Sequence, residues 1–345
     1  MKVLYLPGLL GSNLTISLGG DSPSIPLWLD LASILAGGLA LLDLSPDGLS
    51  PGPLAGEWIP RPAGVWAPVY GELELFMRGL GWDVYSPGYD WRLSVVAAAE
   101  ALYPSVISWA AGQPIYIVAH SQGGLVARSL YAEMVSSGLD AQLTRLVTLC
   151  TPHYGSLEPV RLWWRQPRIY QGLVLALGWE DWLAGQPGPA YLDRVLASWP
   201  CWYELTANLS QGPLFQAAPQ QAIEIYTGSF YSGANPYWSQ AWATAGAAVQ
   251  TLLAGSIPAG RTVCVVGVGS RTPYQLDPTS TPDRDDGYLY TYQGDGLVTA
   301  DQATLPGVPV LTVTGEHAVV VLKPSVWAAL SLIVPNGLSA SVVLG

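Results

Sequence analysis

Ile115-Tyr116-Ile117-Val118-Ala119-His120-Ser121-Gln122-Gly123-Gly124 decides how the chain is read. Ile115, Ile117 and Val118 make a β-branched run of the kind that forms a buried strand. The run enters a tight turn and then a helical pattern that begins near Gly123. This is G-x-S-x-G with Ala119 in place of the first glycine. A serine on such a turn stands proud only if the residues two positions to either side are small, as Ala119 and Gly123 are. The helix that follows aims its free N–H groups and its positive end at any anion forming beside the hydroxyl.

The same alternation runs along the rest of the chain. Short apolar runs at Val3–Leu6, Asp83–Tyr85, Ile115–Ala119, Leu143–Cys150, Thr262–Val268 and Val308–Val313 read as strands. Longer stretches at Val69–Gly79, Ser94–Ala111, Gly123–Ser137 and Pro324–Val334 read as helices. Strands alternating with helices predict an α/β protein whose mostly parallel sheet is flanked by helices. With the serine turn, the pattern predicts the α/β-hydrolase fold. Residues 1–153 read as the first part of the core, with a lid-like, Pro- and Gly-rich excursion at about 17–66. Residues 154–260, dense in tryptophan and poor in strand signals, read as a cap or lid, and 261–345 as the second part of the core.

A serine needs a base, an acid and an oxyanion site. The chain holds three histidines. His120 adjoins Ser121 and cannot fold back onto its hydroxyl, so it is expected to pack beside the turn. His153 comes too early for the order nucleophile, acid, histidine. His317 follows the last long strand and precedes the final helix, and is the expected base. Asp295, between Gly294 and Gly296, is the expected acid, because the glycines free the turn to aim its carboxylate. Asp301 and the cluster Asp283, Asp285 and Asp286 are weaker choices. That cluster also admits a calcium reading, with a solvated acidic turn favoured. Gly8-Leu9-Leu10-Gly11, just after the first strand, places the Leu9 N–H as one oxyanion donor, and the residue after the serine, Gln122, supplies the other.

Composition narrows the partners. The 345 residues are 50% hydrophobic and only 11% charged, with a net charge of −11. Such acidity excludes a phosphate-tracking nucleic-acid surface and tight electrostatic docking on anionic lipid. Any contact with a lipid interface would be transient and hydrophobic. The chemistry needs no metal or cofactor. Cys150, Cys201 and Cys264 show no metal-site spacing, and packing is their expected role, with one disulfide sterically open. Neither a signal peptide nor a spanning helix is apparent, so a cytoplasmic protein is expected unless the chain is a mature secreted form.

The residues also resemble a family. Pro7-Gly8-Leu9-Leu10-Gly11-Ser12, Leu27-Trp28-Leu29-Asp30-Leu31, Gly81-Trp82 and above all Tyr89-Asp90-Trp91-Arg92 look like motifs of the lecithin:cholesterol acyltransferase family. That family includes lysosomal phospholipase A2, and bacterial lipases are related to it. Ala119 to Gly123, Thr148 to Ser156, Gly267-Val268-Gly269 with Thr272-Pro273, Gly294-Asp295-Gly296 and His317 are similar to its later motifs. The resemblance implies cleavage of a lipid-like carboxylic ester through an acyl-enzyme, with water or an alcohol as acceptor. The chain departs from it by having no cysteine before Cys150, so the lid disulfide of mammalian members has no counterpart. Lipid acyl transfer by the same triad is the alternative; a non-catalytic binding protein on this fold and a peptidase or amidase on the same scaffold are the competing readings, with the apolar, Trp-rich excursions favouring acyl chains over peptides. Leu10, Trp28 and Trp242 are expected to touch substrate. Tyr154 to about Gly260, with Leu27–Leu44, is expected to cover the serine and line an apolar acyl pocket, because Ile225 to Gly260 carries no charge; if that segment is a mobile lid, Ala241–Ala254 is the helix expected to move.

Overall fold

The computed structural model describes residues 1–17, 24–28, 30, 33, 38–166, 188–207, 228–231, 233–277 and 280–344. Parts of the expected cap (167–187 and 208–227) and of the first excursion (18–23, 29, 31–32 and 34–37) lie outside the described residues.

From the N-terminus the strands and helices are β1 (Lys2–Leu6), β2 (Ser12–Ser17), β3 (Ile25–Trp28), β4 (Ile59–Val65), α1 (Ala67–Gly79) and β5 (Asp83–Tyr85). There follow α2 (Val95–Ala110), β6 (Ile115–His120), α3 (Gln122–Ser136) and β7 (Leu143–Leu149). The cap contributes α4 (Glu158–Trp163), α5 (Gly188–Ala197), α6 (Pro200–Glu204) and α7 (Gln240–Ala254). The chain closes with β8 (Thr262–Val268), β9 (Thr272–Leu276), β10 (Tyr288–Thr291), β11 (Val310–Thr314), α8 (Pro324–Asn336) and β12 (Val342–Val343).

One seven-stranded sheet, in the order β12-β11-β8-β7-β6-β1-β5, organises the molecule. Every pairing in it is parallel. A sheet covered on both faces wants apolar residues at every position, and β1 supplies them. Val3 and Tyr5 enter one cluster with Leu73 and Met77 of α1 and Val326 and Leu330 of α8. Leu4 and Leu6 enter another with Val106 of α2 and Leu125 and Leu130 of α3. The expected strands and helices are present, with ends displaced by a residue or two.

The first excursion is more ordered than its composition suggested. Its β3 and β4 flank β2, which leads into it, in an antiparallel sheet of order β3-β2-β4. A second antiparallel pair, β9–β10, leaves the end of β8 and returns, and Asp295 then bridges back to Ser270. In the cap, α7 packs on α6 so closely that a Cβ at Gly246 would lie 2.7 Å from the Tyr203 backbone. Among the described residues no helix is long and apolar enough to cross a membrane.

Candidate active site

The turn between β6 and α3 holds Ser121 at φ 53° and ψ −127°, a region that non-glycine residues avoid at a cost of about 1–3 kcal/mol. Close packing on both sides keeps it there. A Cβ at Gly123 would lie 2.3 Å from the Pro7 carbonyl oxygen, and one at Gly124 would overlap Thr151. The Ser121 N–H donates to the Leu149 carbonyl at 2.8 Å, which fastens the turn to the end of β7. Small residues are therefore required after the serine because another strand end and the β1 loop press against the helix start.

His317 and Asp295 converge on this serine from the far end of the sequence. His317 Nε2 stands 2.8 Å from Ser121 Oγ, and its Nδ1 stands 2.7 Å from Asp295 Oδ2. The other carboxylate oxygen, Oδ1, accepts the N–H groups of Leu297 and Val298 at 3.0 and 2.8 Å. The backbone joins in, since the His317 N–H donates to the Asp295 carbonyl at 2.9 Å. Burial alone would push the Asp295 carboxyl up. Attraction to His317 and the hydrogen bonds from His317, Val298 and Leu297 outweigh it and hold the carboxyl below its ordinary value. An ionised carboxylate only accepts, so the proton of a neutral His317 sits on Nδ1 and the bare Nε2 faces the serine hydroxyl. That arrangement can take a proton from Ser121.

Leu9 and Gln122 flank the serine from the β1 loop and the helix start. Among the described residues neither backbone N–H has an acceptor; for Gln122 that is the rule of a first helical turn. Leu10, at φ 63°, turns this loop. The Tyr89–Arg92 run holds it in place. Tyr89 Oη donates to the Pro7 carbonyl at 2.8 Å, and its N–H donates to Ser12 Oγ at 2.9 Å. Trp91 Nε1 donates to the Ser12 carbonyl, and Gln122 Nε2 to the Trp91 carbonyl, both at 3.1 Å. Arg92 and Asp90 form a bidentate pair buried beneath. The most distinctive motif in the sequence is thus a clamp on the loop, an arrangement no local pattern could disclose.

Several expectations change here. Trp28 is 4% exposed, its Nε1 donates to the Leu10 carbonyl at 2.9 Å, and its ring meets Trp91 edge-on. It props the loop and forms no open pocket wall. Half-buried Trp242 packs on the turn at Gly48, and half-buried Leu10 packs on the main core. His153 accepts from Arg128 at Nδ1 and meets Thr148 Oγ1 at Nε2, both at 3.2 Å, inside the core behind α3. Burial, then the Arg128 charge, holds it neutral far below its ordinary pKa. All three cysteines are free and buried, so the disulfide reading falls. Burial, then the Asp295 charge, pushes the Cys150 thiol up. Cys150, Asp295 and His317 bring three ligand atoms within 4.8 Å of one another. In this group the His317 Nδ1 is already engaged by Asp295 Oδ2 at 2.7 Å. Asp285 pairs with Arg271 and Arg161, and Asp286 with Arg284, so arginines occupy the acidic turn where calcium was considered. Asp301 is exposed.

A parallel seven-stranded sheet with a serine turn after β6, an acid beyond β8 and a histidine after β11 decides the fold. The chain has the α/β-hydrolase fold. Residues 65–164 match the family model described as lecithin:cholesterol acyltransferase. That span contains the Tyr89–Arg92 run and the Ser121 turn and ends well before Asp295. Among solved structures, the Tle4-Tli4 complex is similar at a TM-score of 0.65 and 14% identity, with 99% of each chain covered. The mature form of Bacillus licheniformis lipase BlEst2 gives a TM-score of 0.40 at 14% identity, covering 96% of this chain and 91% of that one. Staphylococcus hyicus lipase gives 0.37 at 10% identity, covering 93% and 88%. Likeness at such identities speaks to the fold alone. No curated protein matches the chain.

Proposed function

We propose that this α/β-hydrolase is a serine-dependent carboxylic ester hydrolase acting on a lipid-like ester through an acyl-enzyme. The observation that carries the reading is the unbroken chain from Ser121 Oγ through His317 to Asp295, with links of 2.8 and 2.7 Å. In this reading Ser121 Oγ attacks the acyl carbonyl while His317 Nε2 takes its proton. The N–H groups of Leu9 and Gln122 bond the oxyanion. Asp295 stabilises the imidazolium and does not itself take the proton. His317 returns the proton to the departing alkoxide and an acyl ester remains on Ser121. His317 then deprotonates a water that attacks the acyl carbonyl; the bond to Ser121 Oγ breaks, Oγ takes the proton back from His317, and the free acid leaves.

The apolar composition and the resemblance at Tyr89–Arg92 support a fatty acyl group over a peptide. The match over residues 65–164 favours one second reading, transfer of the acyl group to an alcohol in place of water. The two readings share every step but the last. The test is turnover of p-nitrophenyl esters from acetate to palmitate, beside a phospholipid and a triglyceride, with and without an added long-chain alcohol. Wild type is expected to turn over esters, and Ser121→Ala to fold and lose activity by several powers of ten. No turnover of any ester, or substantial turnover by clean Ser121→Ala protein, would sink the proposal.

A further inference from the structure

Two buried side chains that the reaction scheme leaves idle lie between its working parts. Tyr70, on α1, and His120, the residue before the serine, are 4% and 2% exposed. The Gly8 N–H donates to Tyr70 Oη at 2.9 Å. Tyr70 Oη stands 2.9 Å from His120 Nδ1, and His120 Nε2 stands 3.0 Å from the His317 carbonyl.

Donor and acceptor counting fixes every proton in this chain. Burial, then the His317 charge, lowers His120 to about 3, so its ring is neutral at pH 7 and carries one proton. The His317 carbonyl can only accept, which places that proton on Nε2. Nδ1 is then bare and takes the Tyr70 hydroxyl proton, and the Tyr70 oxygen takes the Gly8 N–H. The bonds run one way, from the loop that bears Leu9, through α1 and the serine turn, to the backbone of His317. The Gly8 N–H is thereby engaged, whereas the Leu9 N–H has no acceptor among the described residues.

We propose that Tyr70 and His120 are positioning residues that set the distance between the Leu9 oxyanion donor and His317. The inference rests on the ester-hydrolase reading. Its physical basis is how little room the loop has. A Cβ at Gly8 would lie 2.9 Å from Ser121 Cβ and 3.1 Å from both His120 Nδ1 and Tyr70 Oη. Without the hydroxyl, the Gly8 N–H loses the acceptor that holds it and His120 Nδ1 loses its donor. The loop is then released from the serine turn, and the Leu9 N–H is no longer held at the oxyanion. A misplacement of this kind weakens the transition state while leaving ground-state binding nearly unchanged.

The experiment measures the rate at which an alkyl fluorophosphonate labels the protein, with KM for p-nitrophenyl butyrate alongside, well below Tm. Phosphonylation needs only an activated serine and an oxyanion site. Tyr70→Phe is expected to label about ten- to a hundredfold more slowly, with KM within about twofold of wild type. Tyr5→Phe is the control: its hydroxyl has no partner among the described residues and its ring lies 6.0 Å from that of Tyr70. That variant should label at the wild-type rate. Labelling of Tyr70→Phe at the wild-type rate, or equal slowing in both variants, overturns the inference alone. A wild type that never labels overturns the hydrolase reading and the inference with it. If Tyr70→Phe does not fold, the ¹⁵N shifts of His120 in the wild-type protein decide. The expected state at pH 7 is neutral with the proton on Nε2, and a proton on Nδ1 contradicts the inference.

Discussion

At the scale of single residues, the candidate site is a question of which atom holds which proton. Asp295 fixes the answer for His317 because its carboxylate can only accept, and two backbone N–H groups already pin its other oxygen. Asp295→Asn keeps the shape and reverses the logic. The amide oxygen would keep the Leu297 and Val298 N–H groups, and the NH₂ would face Nδ1. His317 must then carry its proton on Nε2, pointing at the serine it should deprotonate. We expect kcat to fall by about 10⁴ with the fold intact, as checked by ester turnover and a melting curve. A loss of less than tenfold would mean that another group orients His317. Ser121, Asp295 and His317 were legible in the sequence because small neighbours, flanking glycines and chain order each leave a local trace. Tyr70 left none, since its bond to His120 joins residues 50 positions apart and a tyrosine on an amphipathic helix is ordinarily core.

At the scale of elements, the parallel strands were readable because burial on both faces makes them continuously apolar. The sheet β3-β2-β4 was not. Its outer strands carry Pro26, Pro60 and Pro62, and proline in a short run argues against a strand. Both proline-bearing strands are edges around β2, the position where a missing N–H costs little. The docking of the cap on the core was equally invisible. Glu204, in α6, is buried and accepts the Val95 N–H at 2.8 Å at the start of α2. Burial lifts its pKa from 4.5 to about 7, against the opposing bonds from Ser94 and Val95. A carboxyl that binds its proton more tightly folded than unfolded contributes stability that is fully present below pH 4.5 and lost as pH rises through about 7. The contribution lost is about 3 kcal/mol. Denaturant unfolding at pH 5 and pH 8 should therefore show a smaller fall for Glu204→Gln than for wild type, by roughly that amount. Identical falls in the two proteins would remove Glu204 as the linkage.

At the scale of the whole molecule, the expectation of a swinging lid meets a helix that is tied down. Gln250 Nε2 donates to the Glu204 carbonyl at 2.6 Å, and the Arg128 guanidinium, buried in α3, holds the Leu253 carbonyl. A lid made of α7 would have to break these bonds and strip the Trp242 ring from Gly48. A cavity of about 220 Å³, bordered by Leu49, Pro51, Ile59, Pro60 and Leu102, opens beside the Asp90–Arg92 pair, and none of the three converging residues lines it. We expect Leu252→Glu, at a position 53% exposed, to change stability by no more than about 0.5 kcal/mol and to leave the chain-length profile unaltered. Trp242→Glu should cost about 2 kcal/mol by uncovering its seat and lower turnover of short and long esters alike. Selective loss on long-chain esters in either variant would restore the moving lid. The central claim, that Ser121 is the nucleophile, is tested most directly by peptide mapping after treatment with an alkyl fluorophosphonate. The account predicts one adduct, on Ser121, formed far more slowly in His317→Ala. An adduct on any other residue, or undiminished labelling in Ser121→Ala, would contradict it.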